Sequence, residues 1–234
     1  MTGGRPTLIL ISGLLSDAAV WQPVVDAFSG TMPVVTVSLD DSGSFTHMAE
    51  KMLGENPGDL VVVGHSMGAR VALEVYRLAP ERVVKMAMLD TGVHPLQHGE
   101  TESRQKLLDL AHRESMAAIA NKWLPPMVHP ARVDDDVLMG ILTDMVLRAD
   151  ANLYERQVRA MLDRPDAESV LPTIACPVLL AVGRQDSWSP IARHKAMCQH
   201  IQHVELVIIE EAGHFAPLEQ PQAFISALNK WMNA

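Results

Sequence analysis

The apolar positions of this chain fall into two patterns that alternate along it. Residues 7–11, 33–37, 59–63, 83–89, 177–182 and 204–209 are nearly continuous β-branched or aliphatic runs, as expected of strands covered on both faces. Between them lie stretches with helical spacing. After Asp17, a candidate cap, Val20, Trp21, Val24, Val25 and Phe28 share one face. Phe45, Met48, Ala49, Met52 and Leu53 mark a second helix, which Asn56-Pro57-Gly58 ends. A third runs over 69–78 and stops before Pro80. Strand and helix alternate strictly up to residue 89, which predicts a parallel sheet with right-handed crossovers.

The rhythm breaks between Val93 and Thr173. Here the spacing predicts helices over 102–113, 115–123, 134–148 and 151–162, punctuated by Pro125-Pro126, Pro130 and Pro165. The expected organisation is a core of residues 1–92 and 174–234, with 93–173 inserted as a helical lid over the carboxyl ends of the strands. Met116, Met127, Met139, Met145 and Met161 give this insertion flexible apolar surface, or pack its own core. Asp134-Asp135-Asp136 fits a charged first turn favoured by the helix dipole. The alternation resumes with a helix over 190–200, the last strand and an amphipathic helix over 220–232.

Composition narrows the partners. A length of 234 residues suits one α/β domain with an insertion. The net charge of −9 argues against nucleic acid and against an anionic membrane surface. No stretch approaches the roughly 20 apolar residues of a membrane span. Residues 8–15 faintly resemble the core of a signal peptide, but Ser12-Gly13 breaks the run and no small-residue cleavage site follows. Cys176 and Cys198 are the only cysteines and fit a reducing cytoplasm. The sequence does not fix an oligomeric state.

The chemistry centres on Gly64-His65-Ser66-Met67-Gly68, which lies between a strand and a helix. That context makes the pattern a nucleophile elbow rather than a glycine turn with an incidental serine. A seryl hydroxyl is a weak nucleophile until a base takes its proton. His214, just after the last strand, has an imidazole suited to that work. Asp186 follows the preceding strand and can orient the base, while Asp90, at the end of the fourth strand, is its rival. The oxyanion donors expected are the N–H groups of Met67 and of Leu14, in the loop after the first strand. Trp123, Met127 and Trp188 are candidates for an apolar substrate pocket. His94 and His98 have helical metal-ligand spacing, but Pro95 intervenes and no glutamate lies between them, so neither metal nor cofactor is expected.

With these residues assembled, the chain resembles the α/β-hydrolase superfamily, specifically its compact serine esterases and related hydrolases with a helical lid. Gly64 to Gly68, Arg70-Val71-Ala72-Leu73 continuing to Pro80-Glu81-Arg82-Val83, Gly183 with Asp186, and Ala212-Gly213-His214-Phe215 carry the resemblance over nearly the whole chain. Three features depart from the family pattern. Ser12-Gly13 stands where relatives usually carry His-Gly, so the loop lacks that imidazole although its backbone donor does not depend on it. The usual Asp-x-x-Gly-x-Gly-x-Ser loop is cut to Asp40-Asp41-Ser42-Gly43-Ser44. The two antiparallel strands that normally open the fold are missing, leaving about six mostly parallel strands. Ser66 excludes the dehalogenase and epoxide-hydrolase branches, which need aspartate at the elbow. The resemblance implies hydrolysis of a small carboxylic ester through an acyl-enzyme. The same residues would serve carbon–carbon bond hydrolysis, a lactonase, a thioesterase, a hydroxynitrile lyase, or a ligand receptor with a hydrolase-like pocket.

Overall fold

A computed structural model describes residues 5–39 and 43–234. The order of elements is β1 (Thr7–Ile11), α1 (Gln22–Phe28), β2 (Val34–Val37), α2 (Phe45–Glu55), β3 (Leu60–His65), α3 (Met67–Leu78) and β4 (Val83–Leu89). Four helices then follow without a strand: α4 (Glu100–Arg113), α5 (Met116–Trp123), α6 (Asp136–Leu147) and α7 (Ala151–Leu162). The chain returns through β5 (Val178–Gly183), α8 (Ile191–Cys198), β6 (Val204–Ile209), α9 (Ala216–Glu219) and α10 (Pro221–Met232).

The six strands form one sheet in the order β2-β1-β3-β4-β5-β6, and every neighbouring pair is parallel. Helices on both faces explain the unbroken apolar runs: all of β3 and β5 is buried, whereas the edge strands β2 and β6 are mostly half-buried. Successive side chains face opposite ways. Leu8, Leu10, Val61 and Val63 therefore join one core, which also contains Trp21, Phe224, Ile119, Leu142 and Tyr154. Ile9, Ile11, Leu60 and Val62 join the other, against Met48, Met52, Val71 and Val75. The chain winds outward from β1 to β2 and then restarts on the far side of β1 with β3. This reversal opens a crevice at the carboxyl ends of β1 and β3, which are followed by Leu14 and Ser66 respectively.

Several expected boundaries shift, each for a local reason. Asp17 caps a single 3-10 turn (Ala18–Trp21), accepting from the Ala19 N–H at 2.9 Å, and α1 begins only at Gln22. Pro23 lacks an N–H and suits the first turn of that new helix. Val25 is half-buried rather than fully inside. Pro190 occupies the residue before α8, which begins at Ile191 and ends at Cys198. Asp135, not Asp134, caps α6 through the Leu138 N–H at 3.1 Å. The first half of the apolar run that resembled a signal peptide, Leu8, Ile9, Leu10 and Ile11, lies in β1 and has no exposed surface. Asp40, Asp41 and Ser42 lie outside the described residues, and Ser44 caps α2 from the other side of that loop. No described helix is long and apolar enough to cross a membrane.

Candidate active site

Ser66 sits between β3 and α3 with φ 54° and ψ −115°, a conformation that costs a non-glycine residue of order 1–3 kcal/mol. Three hydrogen bonds hold it there. Its N–H donates to the Leu89 carbonyl (2.8 Å), and its own carbonyl accepts from the Ala69 N–H (3.2 Å) and the Thr91 hydroxyl (2.9 Å). The turn also requires α3 to approach the end of β1 closely: a Cβ on Gly68 would collide with the carbonyl oxygens of Ile11 and Ser12. Leu15, Asp90 and Glu211 share the positive φ, and all follow strand ends. Backbone strain is thus concentrated along the rim where the crevice opens.

The structure brings His214 and Asp186 to this serine. His214 Nε2 lies 2.9 Å from Ser66 Oγ, and His214 Nδ1 lies 2.8 Å from Asp186 Oδ2. The other carboxylate oxygen accepts from the N–H groups of Trp188 (2.8 Å) and Ser189 (2.9 Å). Burial alone would raise the Asp186 pKa. The charge and hydrogen bond of His214, with those two N–H groups, outweigh it and bring the pKa down to about 2. Asp186 is therefore an anion at neutral pH.

Asp90 takes a different place. Its Oδ1 accepts from the Gly183 N–H at 2.8 Å, and it makes no hydrogen bond to His214. Burial, and then the neighbouring charge of Asp186, push its pKa well above the usual carboxylate range. The two acids end adjacent strands, yet one pairs with the imidazole and the other straps β4 to β5.

The imidazole loop is clamped from several sides. His214 N–H donates to the Met127 carbonyl at 2.6 Å, and the His214 carbonyl accepts from His65 Nε2 at 2.6 Å. Burial, reinforced by nearby His214, lowers the His65 pKa to about 3, so this ring is neutral. Glu219, in α9, accepts from Gly213 N–H (2.9 Å), Phe215 N–H (3.2 Å) and His129 N–H (2.6 Å). Thr91, which braces the serine, donates its own N–H to His194 Nε2 at 3.2 Å. Burial lowers the His194 pKa to about 4 and keeps that nitrogen free to accept. These supports have only weak sequence signals: Thr91 follows a strand end, and Glu219 is an acid in an otherwise apolar turn.

Leu14 and Met67 both line the cleft beside Ser66. Met67 is the first residue of α3, so its N–H has no carbonyl one turn back to bond. The loop holding Leu14 turns sharply at Leu15 (φ 52°), whose N–H donates to Gln157 Oε1 at 2.9 Å. Gln157 Nε2 in turn donates to the Leu39 carbonyl at 2.7 Å, so α7 ties the loops after β1 and β2 together. Ser12 supplies a further brace, with its buried hydroxyl donating to the Asp17 carbonyl at 2.9 Å.

Trp123, Met127 and Trp188 also line this cleft. The two indoles stand edge to face with centroids 6.4 Å apart. Of the five methionines of the helical segment, Met127 and Met161 reach the cleft, whereas Met116, Met139 and Met145 pack into the core beneath. His94 lines the cleft as well, beside Arg70, Arg104 and Arg193, which sequence reasoning did not single out.

Comparison with known proteins agrees with this architecture. A pimeloyl-[acyl-carrier protein] methyl ester esterase of Nitrosomonas europaea is 25% identical over 97% of this chain and 96% of its own length. A 3-oxoadipate enol-lactonase of Acinetobacter baylyi is 24% identical over 97% of this chain and 89% of its own. Among solved structures, a thermophilic esterase from Thermogutta terrifontis superposes with a TM-score of 0.88 at 25% identity, covering 99% of this chain and 91% of that one. The alpha/beta hydrolase family matches residues 8–227, nearly the full length. The chain belongs to the alpha/beta hydrolase family.

Proposed function

We propose that this hydrolase cleaves a small carboxylic ester through an acyl-enzyme. The observation that carries the reading is the unbroken line of contacts from Ser66 Oγ through both imidazole nitrogens to Asp186. In the first half-reaction His214 Nε2 takes the seryl proton as Oγ attacks the ester carbonyl. The oxyanion that forms accepts from the N–H groups of Met67 and Leu14, donors fixed in place before the reaction. Asp186 holds the imidazole in the tautomer that leaves Nε2 free, and stabilises the imidazolium. As the tetrahedral intermediate collapses, the ester C–O bond breaks and the imidazolium gives its proton to the departing alkoxide. Water then attacks the acyl carbonyl, His214 takes a proton from it, and Ser66 leaves with that proton as the carboxylic acid is released.

Residues 93–173 serve in this reading as a lid. They deliver Trp123 and Met127 to the cleft and join the same apolar core as the sheet. A lactone is the same bond closed in a ring, and an enol-lactonase is among the relatives, so cyclic esters fall within the proposal. The net charge of −9 and the two free thiols fit a small-molecule substrate and a reducing cytoplasm. A fluorophosphonate probe tests the assignment. Labelling at Ser66, lost in Ser66→Ala, is expected; an unlabelled wild-type protein overturns it.

A further inference from the structure

The cleft beside Ser66 carries more positive charge than its own carboxylates balance. Arg70, Arg104 and Arg193 line it, in a chain whose net charge is −9. Glu100 is already engaged: it accepts from Arg104 Nε at 2.9 Å and, through both oxygens, from Arg164 at 2.9 and 2.7 Å. That leaves Arg70 and Arg193. Among the described residues neither is paired with a carboxylate. Arg70 donates from Nη2 to the His94 carbonyl (2.8 Å) and Arg193 from Nη1 to the Trp188 carbonyl (2.9 Å). A guanidinium has five N–H donors, so most of each fork is unused.

Arg70 lies one helical turn beyond Ser66 in α3, on the same side of the helix, and is only 6% exposed. Burial, and then the positive charge of Arg164, lower its pKa to about 9, so it is still charged at neutral pH. Keeping a buried cation that has no carboxylate partner among the described residues is costly, and the chain does so at a position lining the cleft beside Ser66. A second chamber of about 350 Å³ adjoins the cleft and shares Leu14, His94, Arg104, Trp123, Trp188 and Arg193 with it. A substrate reaching from Ser66 into that chamber passes the arginines.

The geometry points to a substrate that carries a carboxylate in addition to the bond being cleaved, with Arg70 and Arg193 as its binding residues. The planar fork of arginine matches a carboxylate in bidentate fashion. A monoanion suits walls built from Leu14, Trp123 and Met127 better than a phosphate dianion, because the desolvation cost of a charge rises steeply with its size. The inference rests on the esterase reading for its reaction, though not for its binding.

The test compares matched esters that differ only in a carboxylate replacing a methyl group. The pairs are monomethyl succinate, glutarate and adipate against methyl butanoate, pentanoate and hexanoate, with 4-acetoxybenzoate against 4-methylphenyl acetate for the alcohol side. At least one anionic member is expected to have a kcat/KM about tenfold or more above its neutral partner. Arg193→Gln, in an accessible helix, and Arg70→Met should each lower that ratio about tenfold. The ratio is the readout, so a general loss of rate in a variant does not imitate the effect. Neutral esters preferred in every pair, a ratio unmoved in Arg193→Gln, or stronger preference for 4-acetoxyphenyl phosphate than for 4-acetoxybenzoate would each overturn the carboxylate site. The thermal midpoint in 10 mM adipate separates this from the hydrolase reading. A rise in the wild type that Arg193→Gln loses supports the anion site even if Ser66 proves inert. Ester cleavage without either effect removes the anion site and leaves the esterase standing.

Discussion

Two buried aspartates end adjacent strands beside the candidate site, and replacing each by asparagine should have opposite consequences. In Asp186→Asn the amide oxygen keeps the N–H groups of Trp188 and Ser189, which lie 2.8 and 2.9 Å from Asp186 Oδ1. The amide NH₂ then faces His214 Nδ1, the position now occupied by Oδ2 at 2.8 Å. Two N–H groups cannot face each other, so the ring proton moves to Nε2 and the imidazole can no longer accept the seryl proton. Flipping the amide instead would break two backbone hydrogen bonds, about 1 kcal/mol each or more. The wrong-tautomer state should lower kcat about 10⁴-fold, or roughly 5.5 kcal/mol, as in serine proteases altered in the same way. Asp90→Asn should behave otherwise. That carboxyl makes no hydrogen bond to His214, burial and the Asp186 charge disfavour its ionised form, and an amide oxygen can accept the Gly183 N–H just as well. Its kcat/KM should stay within about threefold of wild type, a difference under about 1 kcal/mol. Steady-state hydrolysis of a p-nitrophenyl ester, with circular dichroism to confirm folding, decides the matter. Activity surviving Asp186→Asn and collapsing in Asp90→Asn would refute the assignment.

Other consequences concern the scaffold. Gly68→Ala should destabilise by about 2–4 kcal/mol in urea denaturation, because the new methyl meets the backbone oxygens of Ile11 and Ser12, which cannot move aside. Gly140→Ala, an exposed position in α6 with open space around the new methyl, should stabilise by about 0.5–1 kcal/mol. Glu219→Gln leaves a single oxygen for the three N–H groups that surround the acid, and should cost about 1–3 kcal/mol as well as catalytic rate, since Gly213 and Phe215 flank the imidazole. His194→Gln gives a prediction with a definite sign in pH. Folding lowers the His194 pKa from 6.5 to about 4, so between those values the unfolded chain binds a proton that the native one does not. That contribution is lost as pH falls from 6.5 towards 4. The deficit of the variant, measured at pH 7, should therefore shrink by about 1.4 kcal/mol per pH unit on acidification through this window. A deficit that grows instead would contradict a neutral His194.

Much of the architecture was legible because its physics is local. Six apolar runs became six strands, and the four helices between β4 and β5 lie within a few residues of where their spacing put them. Ser66 and His214 were legible because an elbow and a strand-end loop have local signatures. Asp186 and Asp90 were harder to tell apart, since each ends a strand of the same sheet. What separates them is which carboxylate meets Nδ1, a relation between loops nearly 30 residues or more than 120 residues apart in the chain. The supports were the least legible. Thr91, His194 and Gln157 act through partners far along the chain, joined only by folding. The same holds for Arg70: its position in α3 was plain, but the absence of a carboxylate partner among the described residues is a property of the assembled cleft.

The most direct test of the account is to trap the covalent intermediate. The protein is mixed with a slowly released p-nitrophenyl ester, quenched in acid during the first turnovers, and its peptides are weighed. The account predicts that the peptide containing Ser66 gains the mass of the acyl group, that nitrophenol appears in a burst matching the enzyme concentration, and that Ser66→Ala shows neither. Sustained hydrolysis by the wild type with no acyl group on Ser66 at any quench time, and undiminished turnover by Ser66→Ala, would contradict it.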